Sequence, residues 1–145
     1  MKRFQFPLDR VRRWRAEQAA LEELKLERLY GQLAALADEK RNIEDKRTAS
    51  ERQVLEQASM EGGELQALDI YRSHVRSRIG QMDQRQREVT GEIEVQRQKL
   101  IEARRQAELL ERLKDKKLGE WRALAAREEE TIAGELYLAK WRRTK

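Results

Sequence analysis

The chain has 145 residues, 41% of them charged and 6% aromatic, with a formal net charge of +5. A globular domain ordinarily carries about 25% charged residues, so the composition argues against a compact globule. It points to long helices sharing one narrow apolar seam, with disorder as the competing reading. The absence of cysteine excludes disulfides, cysteine-based zinc sites and thiol catalysis.

The N-terminal stretch Met1 to Pro7 is basic, and no apolar run follows that fits a secretory signal. Nor does any later run approach the ~20 apolar residues of a membrane span. This reads as a cytosolic chain without membrane insertion. Pro7 is the single proline. It suits a first helical position, where its missing N–H has no partner anyway. Helix one is therefore predicted over about residues 7–60, with Asp9 placed in the first turn to favour the helix dipole.

Along this helix Leu26, Leu29, Leu33, Leu36, Lys40, Ile43, Arg47, Ser50 and Val54 alternate spacings of three and four, an a/d heptad seam. Its second half is diluted by Lys40, Arg47 and Ser50. Upstream, Leu8, Val11, Trp14, Leu21 and Leu24 continue the apolar stripe in a shifted register, which a stutter explains. Gly62 and Gly63 form the only adjacent glycine pair, and paired glycines supply left-handed conformations that end helices. The hairpin turn is predicted at about residues 60–64.

Helix two is predicted over about residues 65–142. Its seam runs through Leu68, Tyr71, Val75, Met82, Gln86, Val89, Ile93, Gln96, Leu100, Ala103, Ala107 and Leu110. Ile79 partly fills the gap before Met82. Gln86 and Gln96 are polar seam positions, which cost stability but fix register. Gly80 and Gly91 each cost about 1 kcal/mol relative to alanine and mark softer points. Beyond Leu110 the seam loses clarity. The fold expected is all-α: two long helices in an antiparallel coiled-coil hairpin, with facing residues whose numbers sum to about 125.

Charge is unevenly spread. Residues 1–15 hold Lys2, Arg3, Arg10, Arg12, Arg13 and Arg15 against Asp9 alone, and residues 140–145 hold Lys140, Arg142, Arg143 and Lys145 without an acid. Antiparallel pairing gathers both termini at one basic tip, with Phe4, Phe6, Trp14, Trp121, Tyr137 and Trp141. The Arg10, Arg12, Arg13, Arg15 cluster reads either as an anchor for an acidic partner or as a basic helix end that aids solubility. Cations at a helix N-terminus oppose the dipole, which invites a functional reason. Tyr71, Val75 and Met82 read either as seam or as apolar surface for a partner helix near the turn.

No catalytic, cofactor or metal site is expected. His74 is the only histidine and lacks companion ligands. Gly62–Gly63 lacks the lysine and hydroxyl of a P-loop. Most acids have a basic or amide residue three or four positions away, as in Glu102 with Arg105 and Gln106, or Glu108 with Arg112.

Three stretches resemble the FliJ family of flagellar export proteins. They are Phe4, Phe6, Pro7, Leu8 and Val11 at the start, and Gly63, Leu65, Leu68, Tyr71, Val75 and Ile79 in the centre. Near the end come Glu128, Ile132, Glu135 and Leu136, followed by Lys140, Arg142 and Arg143; Gly134 stands where the family pattern has Asp. The resemblance covers the whole chain in layout. It implies a soluble component of the flagellar type III export apparatus, similar in fold to the coiled coil of the ATP synthase γ subunit. The implied partners are the hexameric export ATPase, the export gate membrane protein and export chaperones. The implied location is cytoplasmic, peripheral to the inner face of the cell membrane at the flagellar base. The resemblance assigns the basic tip (Arg10, Arg12, Arg13, Arg15, Lys140, Arg142, Arg143) to the ATPase ring and Tyr71, Val75 and Met82 to the gate. The alternatives are a basic coiled coil that binds nucleic acid, or a scaffold. The net-negative body and the lack of a basic stripe or groove-reading motif weigh against nucleic acid.

Overall fold

The structure, a computed structural model, describes residues 2–57 and 61–144. Two helices make it up, α1 (Asp9–Leu55) and α2 (Gly62–Thr144), with no strand among the described residues. The class is all-α, two long helices packed against each other. The chain divides into two compact units: residues 1–21 with 101–145, and residues 22–100.

Both helix starts differ from the sequence expectation by a turn or less. α1 begins at Asp9 because residues 7–8 form a turn, in which the Asp9 N–H donates to the Phe6 carbonyl at 3.1 Å and the Arg12 N–H to the Leu8 carbonyl at 2.9 Å. α1 ends at Leu55 rather than near residue 60. Gly62 and Gly63 do not end a helix; they open α2, and no glycine among the described residues has positive φ. The Glu61 carbonyl accepts the first bonds, from the Glu64 N–H at 3.1 Å and the Leu65 N–H at 3.3 Å. The glycine pair therefore belongs to α2. Residue 60, the first of the predicted turn, lies outside the described residues.

In the unit of residues 22–100 the two helices run antiparallel and the predicted seam is the packed one. Leu26, Leu29, Leu33, Leu36, Lys40, Ile43, Arg47, Ser50 and Val54 are all half-buried. Across from them Leu68, Val75, Met82, Val89, Ile93 and Leu100 are buried, and Val89 is fully enclosed. Tyr71, Ile79 and Gln86 are half-buried between them. α2 runs without a break through Gly80 and Gly91. Burying one such aliphatic side chain is worth about 1.5–3 kcal/mol, so this short list supplies most of the attraction.

The diluted half of the seam is stitched by charge instead. Lys40 Nζ lies 2.7 Å from Asp83, Arg72 Nε 2.9 Å from Glu51, and Arg78 Nη2 2.9 Å from Glu39. These pairs set the register, slightly short of the expected sum of about 125. Asp83 holds the Lys40 ammonium above its ordinary pKa, opposed by its own desolvation. Arg47 is less well served: its buried Nε has no hydrogen-bond partner and sits 4.0 Å from Glu51.

Gln96 is the polar seam residue that the structure uses most fully. Its buried amide donates to the Glu22 carbonyl at 3.0 Å and also to the Glu22 carboxylate. That second bond is the main reason the Glu22 carboxyl titrates below its ordinary value; Lys25 and Lys99 act in the same direction, while desolvation opposes them.

In the unit formed by residues 1–21 and 101–145 the expected stutter is absent. The half-buried residues of α1 in this unit are Asp9, Arg12, Arg15, Gln18 and Ala19. From Arg12 through Arg15 and Ala19 the alternation of three and four runs along α1 to Glu22 and Leu26, so the heptad continues in one register. Leu8, Val11, Trp14, Leu21 and Leu24, expected in the stripe, all face solvent at 42–49% exposure. The facing residues on α2 are Ala103, Gln106, Ala107, Leu110, Leu113, Lys114 and Leu118, all half-buried. Long polar side chains can lie across such a strip with their charged heads in water, so a polar seam still packs.

Ile93→Ala is expected to cost about 2–4 kcal/mol in urea unfolding, because it deletes buried seam atoms. Ile101→Ala on the same helix, where Ile101 is 57% exposed, is expected to stay within about 0.5 kcal/mol. Glu22 has its folded pKa depressed, so its contribution is present above the unfolded value of about 4.3 and is lost as pH falls through the folded value. Thermal stability is therefore expected to drop on acidification below about pH 4.5, and Gln96→Leu to flatten part of that drop, measured by circular dichroism melts.

Candidate interaction sites

In the unit of residues 1–21 and 101–145, residues 2–6 and the turn at 7–8 form a non-helical strap against α2. Phe6 is buried, and the Phe4 ring lies 6.0 Å from Trp121 at a tilt of 55°. Offset or tilted aromatic pairs add about 0.5–1.5 kcal/mol beyond their burial. Leu8, Leu113 and Leu124 complete an open apolar groove of about 610 Å³, with Lys117 and Glu120 on its rim. The sequence placed these aromatics at one end of the molecule. It carried no signal that Phe4 and Phe6 would lie along α2, since a non-helical segment has no periodicity to read.

The arginine cluster is less free than its density implies. Asp9 accepts from Arg12 Nε at 2.9 Å and from Arg13 Nε and Nη2 at 2.9 and 2.7 Å. These hydrogen bonds, that from Arg13 foremost, hold the Asp9 carboxyl below the ordinary carboxylate range. Arg12 also reaches α2, with Nη1 2.8 Å from Glu111, and Lys114 Nζ lies 3.8 Å from Asp9. Hydrogen bonds to Glu111 and then Asp9 push the Arg12 guanidinium up from its already high value. The conflict between cations and helix dipole is thus answered locally, by a carboxylate in the first turn. Arg12 is a structural tie between helices. Arg10 and Arg13 remain at the surface, and Arg15 is half-buried with its guanidinium 4.7 Å from the Trp14 ring centroid, a cation–π pair.

Lys140, Arg142 and Arg143 do not join that cluster. α2 continues as helix to Thr144, and every described residue from 126 onward is exposed. Arg12 sits beside Glu111, so at 1.5 Å per residue Arg142 lies roughly 45 Å further along α2. The single basic tip expected from the sequence is two separate clusters.

In the unit of residues 22–100, the three residues assigned to the export gate part company. Val75 and Met82 are buried seam residues at 3% and 6% exposure, with no surface to offer. Tyr71 is half-buried at the edge of an open groove near the reversal, with Ser50, Val54, Gln57, Glu64, Ala67 and Leu68. Leu55, Leu65 and Ile70 are exposed nearby. This apolar surface lies beside Tyr71, not along the seam that periodicity picked out.

Among the described residues no group of His, Asp or Glu is arranged to hold a metal ion, and no helix is long and apolar enough to cross a membrane. His74 is exposed. Comparison with family models, curated proteins and solved structures finds no match to this chain.

Phe6→Ala is expected to release the strap. Amide hydrogen exchange should speed up at residues 4–8 and in the first turn of α1, while amides beyond residue 20 keep their protection.

Proposed function

We propose that this chain is a FliJ-like stalk protein, a non-catalytic component of the flagellar type III export apparatus that activates the hexameric export ATPase and escorts export chaperones. The observation that carries the reading is the helix pair itself, together with the family-like stretches at its start, centre and end. Two helices side by side measure about 20 Å across, a cross-section suited to the pore of a ring. The N-terminal part of α1 presents Arg10, Arg13 and the Trp14–Arg15 pair, and also the outward apolar residues Val11 and Leu21. Exposed arginines beside large apolar side chains are a composition favoured at protein interfaces.

On this reading Arg10 and Arg13 meet the ring, and Arg12 serves by fixing α1 to α2. The gate contact moves from Val75 and Met82 to the groove at Tyr71, with Ile70 beside it. The position of such a protein is cytoplasmic, held at the inner membrane face through its partners.

Arg10→Glu with Arg13→Glu is expected to abolish stimulation of a purified hexameric export ATPase while helicity by circular dichroism stays unchanged. Arg12 is left intact, because a glutamate there would face Glu111 and unsettle the helix pair. Unaltered stimulation would count against the ring contact. Tyr71→Ala is expected to weaken capture of the export gate and leave ATPase stimulation intact.

A further inference from the structure

Among the described residues, 126–144 form a helix end about 28 Å long with no second helix beside it; the start of the chain comes near its first turns, where Lys2 and Arg3 line an open groove with Glu128, Glu129 and Ile132. An isolated helix of that length is marginal in water, so a partner would stabilise it. The stripe that carries Trp121 and Ala125 continues at helical spacing through Ile132, Leu136 and Ala139. Ile132 and Leu136 are 49% and 66% exposed, and Leu138 is also open to solvent.

Charge is divided about the middle of this segment. Glu128, Glu129 and Glu130 precede Ile132, whereas Lys140, Arg142 and Arg143 follow Leu136. Among the described residues none of these six side chains takes part in an ion pair, although pairs three or four residues apart are frequent further up α2. Within one chain the two blocks are roughly 15–20 Å apart along the axis, too far to pair directly.

We propose that this face binds a second copy of the chain, with the two segments antiparallel about a two-fold axis near residues 135–136. That arrangement sets the acidic block of each copy beside the basic block of the other, twice over, and covers Ile132 and Leu136 at the centre. A parallel pairing opposes like charges at both ends. The contact is isologous and therefore closes at two copies. A helix pair of this length falls at the small end of specific interfaces, so the dimer is a weak one. It engages the same Lys140, Arg142 and Arg143 that the family resemblance assigns to the ATPase ring, but it is measured on the purified chain alone and stands or falls independently.

Sedimentation equilibrium of the full chain tests this. The average mass is expected to rise from the monomer's 17.3 kDa toward twice that value as concentration increases from about 5 to about 500 µM. Glu128→Lys with Glu129→Lys, or Arg142→Glu with Arg143→Glu, is expected to weaken association about tenfold or more, and the four changes together to restore it. Since the chain contains no cysteine, engineered ones report alone. Leu136→Cys is expected to form disulfide dimers readily under mild oxidation, and Glu128→Cys to form few. A constant monomer mass, equal cross-linking at both positions, or failure of the fourfold reversal to restore association would overturn the proposal.

Discussion

The two helices hold together along a single strip of side chains spaced alternately three and four residues apart. Each helix turns only one side inward, and among the described residues Val89 alone is fully enclosed. This has two consequences. Stability is distributed along the contact, because no compact centre exists to concentrate it. Any residue that leaves the strip by one position, as Trp14 does, is delivered to solvent.

Where aliphatic residues thin out along the strip, ion pairs and hydrogen bonds take over. Lys40 with Asp83, Arg72 with Glu51, and Arg12 with Glu111 cross between helices at 2.7–2.9 Å. Exposed pairs of this kind contribute little individually to stability. Their value lies in alignment, since a shift of one heptad would break them together. Gln96 adds a stricter constraint. Its buried amide must find an acceptor, and the Glu22 backbone carbonyl is at hydrogen-bond distance in this register.

The same economy shapes the surface. A two-helix body has little interior, so its function is expressed through outward-facing side chains and through its ends. Asp9 and Glu111 compensate Arg12 and so separate a structural arginine from the exposed ones on either side. At the far end of α2 the acidic and basic blocks of the helix lie out of reach of one another, and Lys2 and Arg3 from the start of the chain line a groove with Glu128 and Glu129. The N-terminal strap, packed by Phe6 and by Phe4 on Trp121, covers apolar surface that α1 does not reach.

The seam from Leu26 to Val54 and from Leu68 to Leu110 was legible from residue spacing, because burial on one helix face imposes a period that sequence records directly. The polar role of Gln96 and the i,i+4 pair of Glu108 with Arg112 were legible for the same reason. The split of the basic residues into two clusters was not, since it depends on where α1 starts relative to α2. The burial of Val75 and Met82 was, because both stand at seam spacing. Upstream of Leu26 hydrophobicity pointed to a shifted apolar register through Leu8, Val11, Trp14, Leu21 and Leu24. The tertiary structure instead takes a polar one through Arg12, Arg15, Ala19 and Glu22, because it prolongs the heptad without a stutter and lets Arg12 meet Glu111 and Glu22 meet Gln96. Sequence alone determined that two helices would pair and by which faces over most of their length; only the packed pair decided which residues its less apolar end would bury, because that choice rests on partners about a hundred residues away in the chain.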